Sequence, residues 1–199
     1  MRSLVLIVLG SAVAATGVVI DRTSLVVNRK PILESQILQD IRITAYLNQQ
    51  SPEATAAARK AAANRLIDQQ LIGEQIRQGG YPVAPRSEAE NLLQATLQDH
   101  PPLKEYGISK DELLDRMAWQ LTVLRFIDAR FRPQVVVSQQ DVQQYYAAHR
   151  AQFRNQSMEQ ASPAITEQIT GVRINHLLDE WLAEARKSAR IVYLDRSLS

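Results

Sequence analysis

Apolar residues recur at intervals of three and four along most of the chain, which is the spacing of one helix face. After Ser87, for example, apolar side chains stand at Ala89, Leu93 and Leu97. The pattern predicts helices over about residues 35–48, 53–78, 109–131 and 141–149, with a shorter one after Ser87 and a long one from Ser162.

Polar residues and glycines mark the predicted helix ends. Three pairs have the spacing of a capping box, namely Ser87 with Glu90, Ser109 with Glu112 and Ser138 with Asp141. Ile108 and Leu113 flank the second box as a hydrophobic staple. Gly79-Gly80 ends the second helix, because glycine adopts the left-handed cap that other residues resist. Ser162-Pro163 predicts a helix start with proline at the first position.

Two segments near opposite ends of the chain have strand character instead. Val18 to Val27 and Arg190 to Leu194 are short runs rich in β-branched and aliphatic residues. Residues 28–31 are predicted to form a turn after the first run. Distant strands bury their edge groups best against each other, so these two are expected to pair, with Val26 close to Val192.

The last predicted helix has two apolar faces. Ile165, Ile169 and Val172 share one side, and Leu178, Trp181 and Leu182 lie nearly opposite. Gly171 sits at the changeover, so a kink or a change of packing partner is expected there.

The first residues have the pattern of a secretory signal peptide. Arg2 precedes the apolar run Leu4 to Leu9, and Ala12-Val13-Ala14 fits an A-x-A cleavage site. Residues 1–14 are therefore expected to be removed, which places the protein in the periplasm. The alternative is an uncleaved membrane anchor over Leu4 to Ile20, at the lower limit of spanning length.

Composition excludes several classes of protein. The 23 basic and 21 acidic residues nearly balance, which argues against a nucleic-acid-binding protein held by phosphate contacts. The chain has no cysteine, so no disulfide, thiolate metal site or lipidated cysteine can form. His100, His149 and His176 show no metal-ligand spacing, and no nucleophile motif or phosphate loop is present. We therefore expect no enzyme activity, cofactor or metal.

A few large side chains could contact other proteins. Trp119 falls off the apolar face of the fourth helix and is expected to be partly exposed, with Met117 nearby. Tyr145, Tyr146 and Phe153 cluster near a polar linker. Such adaptable apolar side chains could bind apolar segments of unfolded clients, although packing in the core is the simpler interpretation of each.

An ordered set of short motifs resembles the SurA family of periplasmic foldases. The motifs are Val26-Val27-Asn28, Ile32-Leu33-Glu34-Ser35, Arg65 to Ile72, Gly107-Ile108-Ser109, Val135 to Ser138 with Tyr145-Tyr146, and Trp181-Leu182 with the following Glu184, Arg186, Ala189 and Ile191. The resemblance extends along nearly all of the chain after residue 14. It implies a mainly α chaperone domain over residues 15–199, completed by a small β-pairing of its two ends.

The chain departs from the family at two places. Arg29 replaces the usual glycine after Val-Val-Asn, so a wider turn is expected there. Relatives with isomerase activity insert parvulin domains after the Tyr-Tyr helix. Here the linker at 154–162 is far shorter than the ~50 residues that a small domain needs.

The resemblance implies an ATP-independent periplasmic chaperone that binds unfolded envelope proteins, including outer-membrane β-barrel precursors. Candidate client-binding residues are Met117, Trp119, Tyr145, Tyr146 and Phe153. Two alternatives stay open, a peptidyl-prolyl isomerase of the parvulin class and an adaptor with one dedicated envelope partner. The sequence does not fix the oligomeric state.

Overall fold

A computed structural model describes residues 21–153 and 155–199. Within these residues the protein is mainly α, as the sequence predicts. The helices are α1 (Glu34–Leu47), α2 (Ala56–Gly79), α3 (Arg86–Asp99), α4 (Lys110–Phe131), α5 (Gln139–Ala148) and α6 (Met158–Ser188). The predicted signal peptide lies outside the described residues.

A small antiparallel sheet joins the two ends of the described chain. Its strands are β1 (Thr23–Val27), β2 (Lys30–Leu33) and β3 (Ile191–Tyr193), in the order β2-β1-β3. Val26 is directly opposite Val192, which confirms the predicted pairing. Beyond the ladder, the backbone N–H of Asn28 donates to the Arg190 carbonyl at 2.7 Å.

The turn between β1 and β2 is tighter than expected. Val27 pairs with Lys30, so Asn28 and Arg29 alone form the turn. The prediction of a wider turn is wrong because Asn28 takes the left-handed conformation, with φ of 56°, and Arg29 does not. The structure also places strand β2 over Lys30–Leu33, where the sequence predicts the end of the turn and no strand. Pro31 fits in β2 because this is an edge strand, where a missing N–H is tolerated.

Buried side chains form several adjoining clusters. The first cluster joins the sheet to α1 and α2 around Leu25, Ile37 and Ile67, all fully buried. The second joins α1, α3 and α4, and the third joins the later parts of α2 and α4 to α6. A smaller cluster joins α5 to the start of α6. Leu198, 1% exposed, anchors the C-terminal turn in the first cluster.

The capping predictions are confirmed at two helices and wrong at a third. Ser109 with Glu112 and Ser138 with Asp141 form reciprocal capping boxes at α4 and α5. Helix α3 begins at Arg86, with Pro85 as its N-cap and no side-chain cap. Ser87 therefore lies inside the first turn instead of preceding it.

Helix α6 begins earlier than predicted. Ser157 and Gln160 form its capping box, so the helix starts at Met158 and residues 158–162 are helical instead of linker. Pro163 lies inside the second turn. Its ring removes one N–H that the Glu159 carbonyl would otherwise accept.

The packing of α6 changes along its length. The helix runs unbroken from Met158 to Ser188, while Ile165 packs against α5 and Ile174 against α2 and α4. The predicted change of packing partner near Gly171 is confirmed. Val172 was predicted to share the face of Ile165, but its side chain is 64% exposed. Leu124 on α4 is likewise 60% exposed.

Candidate functional site

An open groove lies between α1, α2 and α4. It consists of two adjoining depressions of about 270 and 260 Å³ that share Gln36, Leu66, Gln69 and Trp119. We call this feature the Trp119 groove. It adjoins the sheet at Pro31 and Ile32 of β2.

Three helices contribute one stripe each to the groove, with lining residues at positions i, i+3 and i+7. The stripes are Gln36, Gln39 and Ile43 on α1, Leu66, Gln69 and Gly73 on α2, and Glu112, Asp115 and Trp119 on α4. Residues at this spacing lie on one face of a helix, so each stripe is a direct consequence of helical geometry.

The ring of Trp119 crosses from α4 to the backbone of α2. A methyl group placed on Gly73 would meet the ring at 3.4 Å, so the indole lies directly on this glycine. The ring also packs against the third core cluster and remains partly exposed, as the sequence predicts. The indole therefore packs directly on the α2 backbone at Gly73.

A buried ion-pair network supports the groove from below. The Asp40 side chain is 2% exposed and bridges α1 to both other helices. Arg65 donates to its Oδ2 through Nε at 2.9 Å and Nη2 at 2.5 Å. Arg116 donates to Oδ1 at 2.8 Å and to the Thr44 hydroxyl at 3.2 Å. Both carboxylate oxygens are therefore bonded to guanidinium groups, which fixes the spacing of the three helices.

A second carboxylate is held in place at the rim. Glu112 accepts hydrogen bonds from the Ser109 backbone N–H at 2.6 Å and from Gln39 Nε2 at 2.8 Å. The Ser109 backbone bond is the main cause of a lowered pKa of Glu112, aided by the Ser109 and Gln39 side chains and the charge of Arg42, and opposed by burial. Glu112 is therefore ionised at neutral pH and already bonded within the protein.

The five candidate client-binding residues do not share one surface. Trp119 lies in the groove, but Met117 is 2% exposed inside the second core cluster. Met117 therefore cannot contact a client in this conformation. The reason is geometric, since residues two apart on a helix point about 200° from each other.

The remaining three candidates lie together in the cluster between α5 and α6. Tyr145 stacks on His149 with ring centroids 4.0 Å apart, and Tyr146 stacks on Phe153 at 5.7 Å. The Tyr146 hydroxyl donates to the Gln156 carbonyl at 2.8 Å. These rings are thus partnered within the protein, which matches the packing interpretation.

The described residues contain no group of three His, Asp or Glu side chains placed to hold a metal ion. His100 packs on Tyr46, and His176 lies exposed beside Glu180. Across the same residues, no helix combines the length and apolar character that crossing a membrane requires. Comparison of the chain with protein-family models and with curated protein sequences found no match.

Sequence reasoning missed most of the groove. The sequence does not single out the glutamines of α1 and α2 or the buried Asp40, because polar helix positions usually face solvent. The i, i+3 and i+7 spacing shows which residues share a face of each helix, but it does not show that the three faces meet. Their convergence on one groove follows from tertiary packing alone.

Proposed function

We propose that the protein is an ATP-independent periplasmic chaperone that holds unfolded envelope proteins in the Trp119 groove. The observation that carries this proposal is the partly exposed indole of Trp119, placed between amide side chains of two helices in an open groove. The resemblance of the chain to the SurA family supports the same function. The predicted signal peptide at residues 1–14 is the reason for placing it in the periplasm.

The geometry suits weak and reversible binding. An aromatic ring contributes a large apolar contact area with few rotatable bonds, so it binds many sequences at small entropic cost. The groove is shallow and open, so a client segment buries only part of its surface. Affinity then comes from several weak contacts along an unfolded chain, and release needs no nucleotide hydrolysis.

The test is suppression of aggregation of a urea-unfolded outer-membrane β-barrel protein after dilution, followed by light scattering. Equimolar protein should delay aggregation, and Trp119→Ala should need about tenfold more protein for the same delay, since it removes most of one aromatic contact. Gln98→Ala on α3, outside the groove, is the matched control and should behave as wild type. No delay at any ratio would refute the proposal.

Two further measurements separate the alternatives. A proline-peptide isomerisation assay at micromolar protein should give the uncatalysed rate, and clear catalysis would favour the isomerase instead. Affinity capture from periplasmic extract should return a mixed set of unfolded envelope proteins. A single stoichiometric partner would favour the dedicated adaptor.

A further inference from the structure

We propose that the Trp119 groove binds the main chain of an extended client segment, so that recognition depends little on the client's side chains. This inference rests on the proposed function and names what its site recognises. The ligand class is an uncharged, extended stretch of polypeptide with one apolar side chain placed on the Trp119 ring.

The amide groups of the groove carry the argument. Gln36 accepts the Leu33 backbone N–H through Oε1 at 2.8 Å, which leaves its amide nitrogen for another partner. Gln39 donates to Glu112 through Nε2 at 2.8 Å, which leaves its carbonyl oxygen. Gln69 supplies both kinds of group from the opposite wall. Donors and acceptors on both walls match the N–H and C=O groups that every extended peptide presents.

A fourth amide adds an independent observation. Gln70 lines the groove beside Gln69, and its Oε1 is buried without a hydrogen-bond partner. A buried acceptor without a partner lowers the stability of the fold. Rotation of the Gln70 side chain toward a bound peptide N–H would give this oxygen a partner, and that gain would favour binding.

The two internally bonded carboxylates, Asp40 and Glu112, point to the same ligand, while Asp115 and Arg77 add one charge of each sign to the lining. Both oxygens of Asp40 are bonded to Arg65 and Arg116, and Glu112 is bonded to Ser109 and Gln39. A charged ligand would have to compete with these internal pairs, whereas a neutral peptide group would not.

The length of the groove sets the size of the segment. A stripe from i to i+7 rises about 10 Å along a helix, at 1.5 Å per residue. An extended chain covers this distance in about three residues, at 3.3 Å each. The groove therefore fits a short main-chain segment with one side chain on Trp119, and a long client must bind in successive short stretches.

The experiment uses calorimetric titration of the whole protein with four uncharged decapeptides. The parent alternates apolar and polar residues, and a second peptide is its shuffled sequence. The other two carry backbone N-methyl groups on alternate residues, at odd positions in one and at even positions in the other. Because alternate N–H groups of an extended chain point to opposite edges and both walls of the groove carry amides, each methylated peptide should lose the donors on one edge.

The parent and shuffled peptides should bind within about threefold of each other. Each methylated peptide should bind about tenfold more weakly than the parent, the loss expected for one or two hydrogen bonds. Gln69→Leu should weaken the parent by a similar factor, while Gln75→Leu, on the same helix outside the groove, should not. The comparison of Gln69→Leu with Gln75→Leu keeps the test valid if methylation changes the conformation of the peptide.

Two contrary outcomes are distinguishable from this result. Weak binding of the shuffled peptide, with no effect of either methylation or Gln69→Leu, would overturn the inference in favour of side-chain recognition. Suppression of aggregation would then still stand, and the proposed function with it. If no peptide binds and no aggregation is suppressed, the proposed function fails together with the inference.

Discussion

The Trp119 groove and the aromatic cluster between α5 and α6 both contain partly exposed aromatic side chains, yet they differ in what surrounds those rings. In the cluster, each ring stacks on a neighbour and the Tyr146 hydroxyl has an acceptor at 2.8 Å. In the groove, the Trp119 ring lies on a glycine, beside amides whose groups are only partly bonded.

The comparison shows that exposure of an aromatic ring does not by itself indicate a binding surface. Tyr145, Tyr146 and Phe153 pack against the core cluster of α5 and α6, and their stacked faces and the Tyr146 hydroxyl contact partners in α5 and the segment after it. The Trp119 ring packs in part against the third core cluster, and the rest of it is exposed in the groove. A more useful criterion is whether polar groups beside the ring lack hydrogen-bond partners within the protein, because such groups are available to a ligand.

The largest effect should come from removing the carboxylate beneath the groove. Asp40→Ala leaves Arg65 and Arg116 without their shared partner, with Arg116 only 12% exposed. We expect a loss of about 3 kcal/mol or more in the free energy of unfolding, measured by urea titration. Asp115→Asn, which breaks an exposed pair with Arg86, should cost under about 1 kcal/mol. Equal costs would mean that the buried network does not support the groove.

Breaking the aromatic cluster should cost stability without affecting client binding. Phe153→Ala removes the ring that stacks on Tyr146, and we expect a loss of about 1–2 kcal/mol because the site is only partly buried. Suppression of aggregation should stay at the wild-type level at temperatures where the variant is folded. Reduced suppression in that range would place client contacts on α5 and α6 as well.

Acid should loosen the α5–α6 pair through one carboxylate. The hydrogen bond from Arg173, aided by Ser138, lowers the pKa of Asp141 from its ordinary 3.8 to about 2. A pKa lowered by folding means stability that is complete above 3.8 and is lost as the pH falls through about 2. Hydrogen exchange of the α5 amides should accelerate in this window. Asp141→Asn should remove that dependence, and an unchanged profile would contradict the assignment.

The smallest effect is expected beneath the Trp119 ring. Gly73→Ala places a methyl group 3.4 Å from the indole, which is an ordinary contact, and alanine favours a helix interior over glycine. The midpoint of urea unfolding should rise, which corresponds to an increase of under about 1 kcal/mol in the free energy of unfolding. Client binding should stay within about twofold, since a methyl group in ordinary contact leaves the ring in place. A clear loss of binding would show that the depth of the ring is critical.

Much of the fold could be predicted from sequence. The spacing of apolar residues located α4 to its last residue, Phe131, and two capping boxes located the starts of α4 and α5. Errors arose where competing local signals were close together. Ser162-Pro163 predicts the start of α6 at residue 162, but Ser157 and Gln160 already cap the helix five residues earlier.

The site was much harder to predict than the fold. Of the five candidate residues, the structure places Trp119 in the groove and Met117 in the core, while the other three pack between α5 and α6. Gln36, Gln39 and Gln69 carry no local signal, because exposed glutamines are ordinary on helix surfaces.

The sequence by itself determined the helical periods, the caps and the strand character of Val26 and Val192, since these depend on backbone conformation and near neighbours. Only the tertiary structure decided that one face of each of α1, α2 and α4 lines the same groove and that Asp40 lies between two arginines. Such juxtapositions depend on the packing of residues up to 76 positions apart along the chain. Helical periodicity fixes which residues share a face, but it does not fix which faces meet.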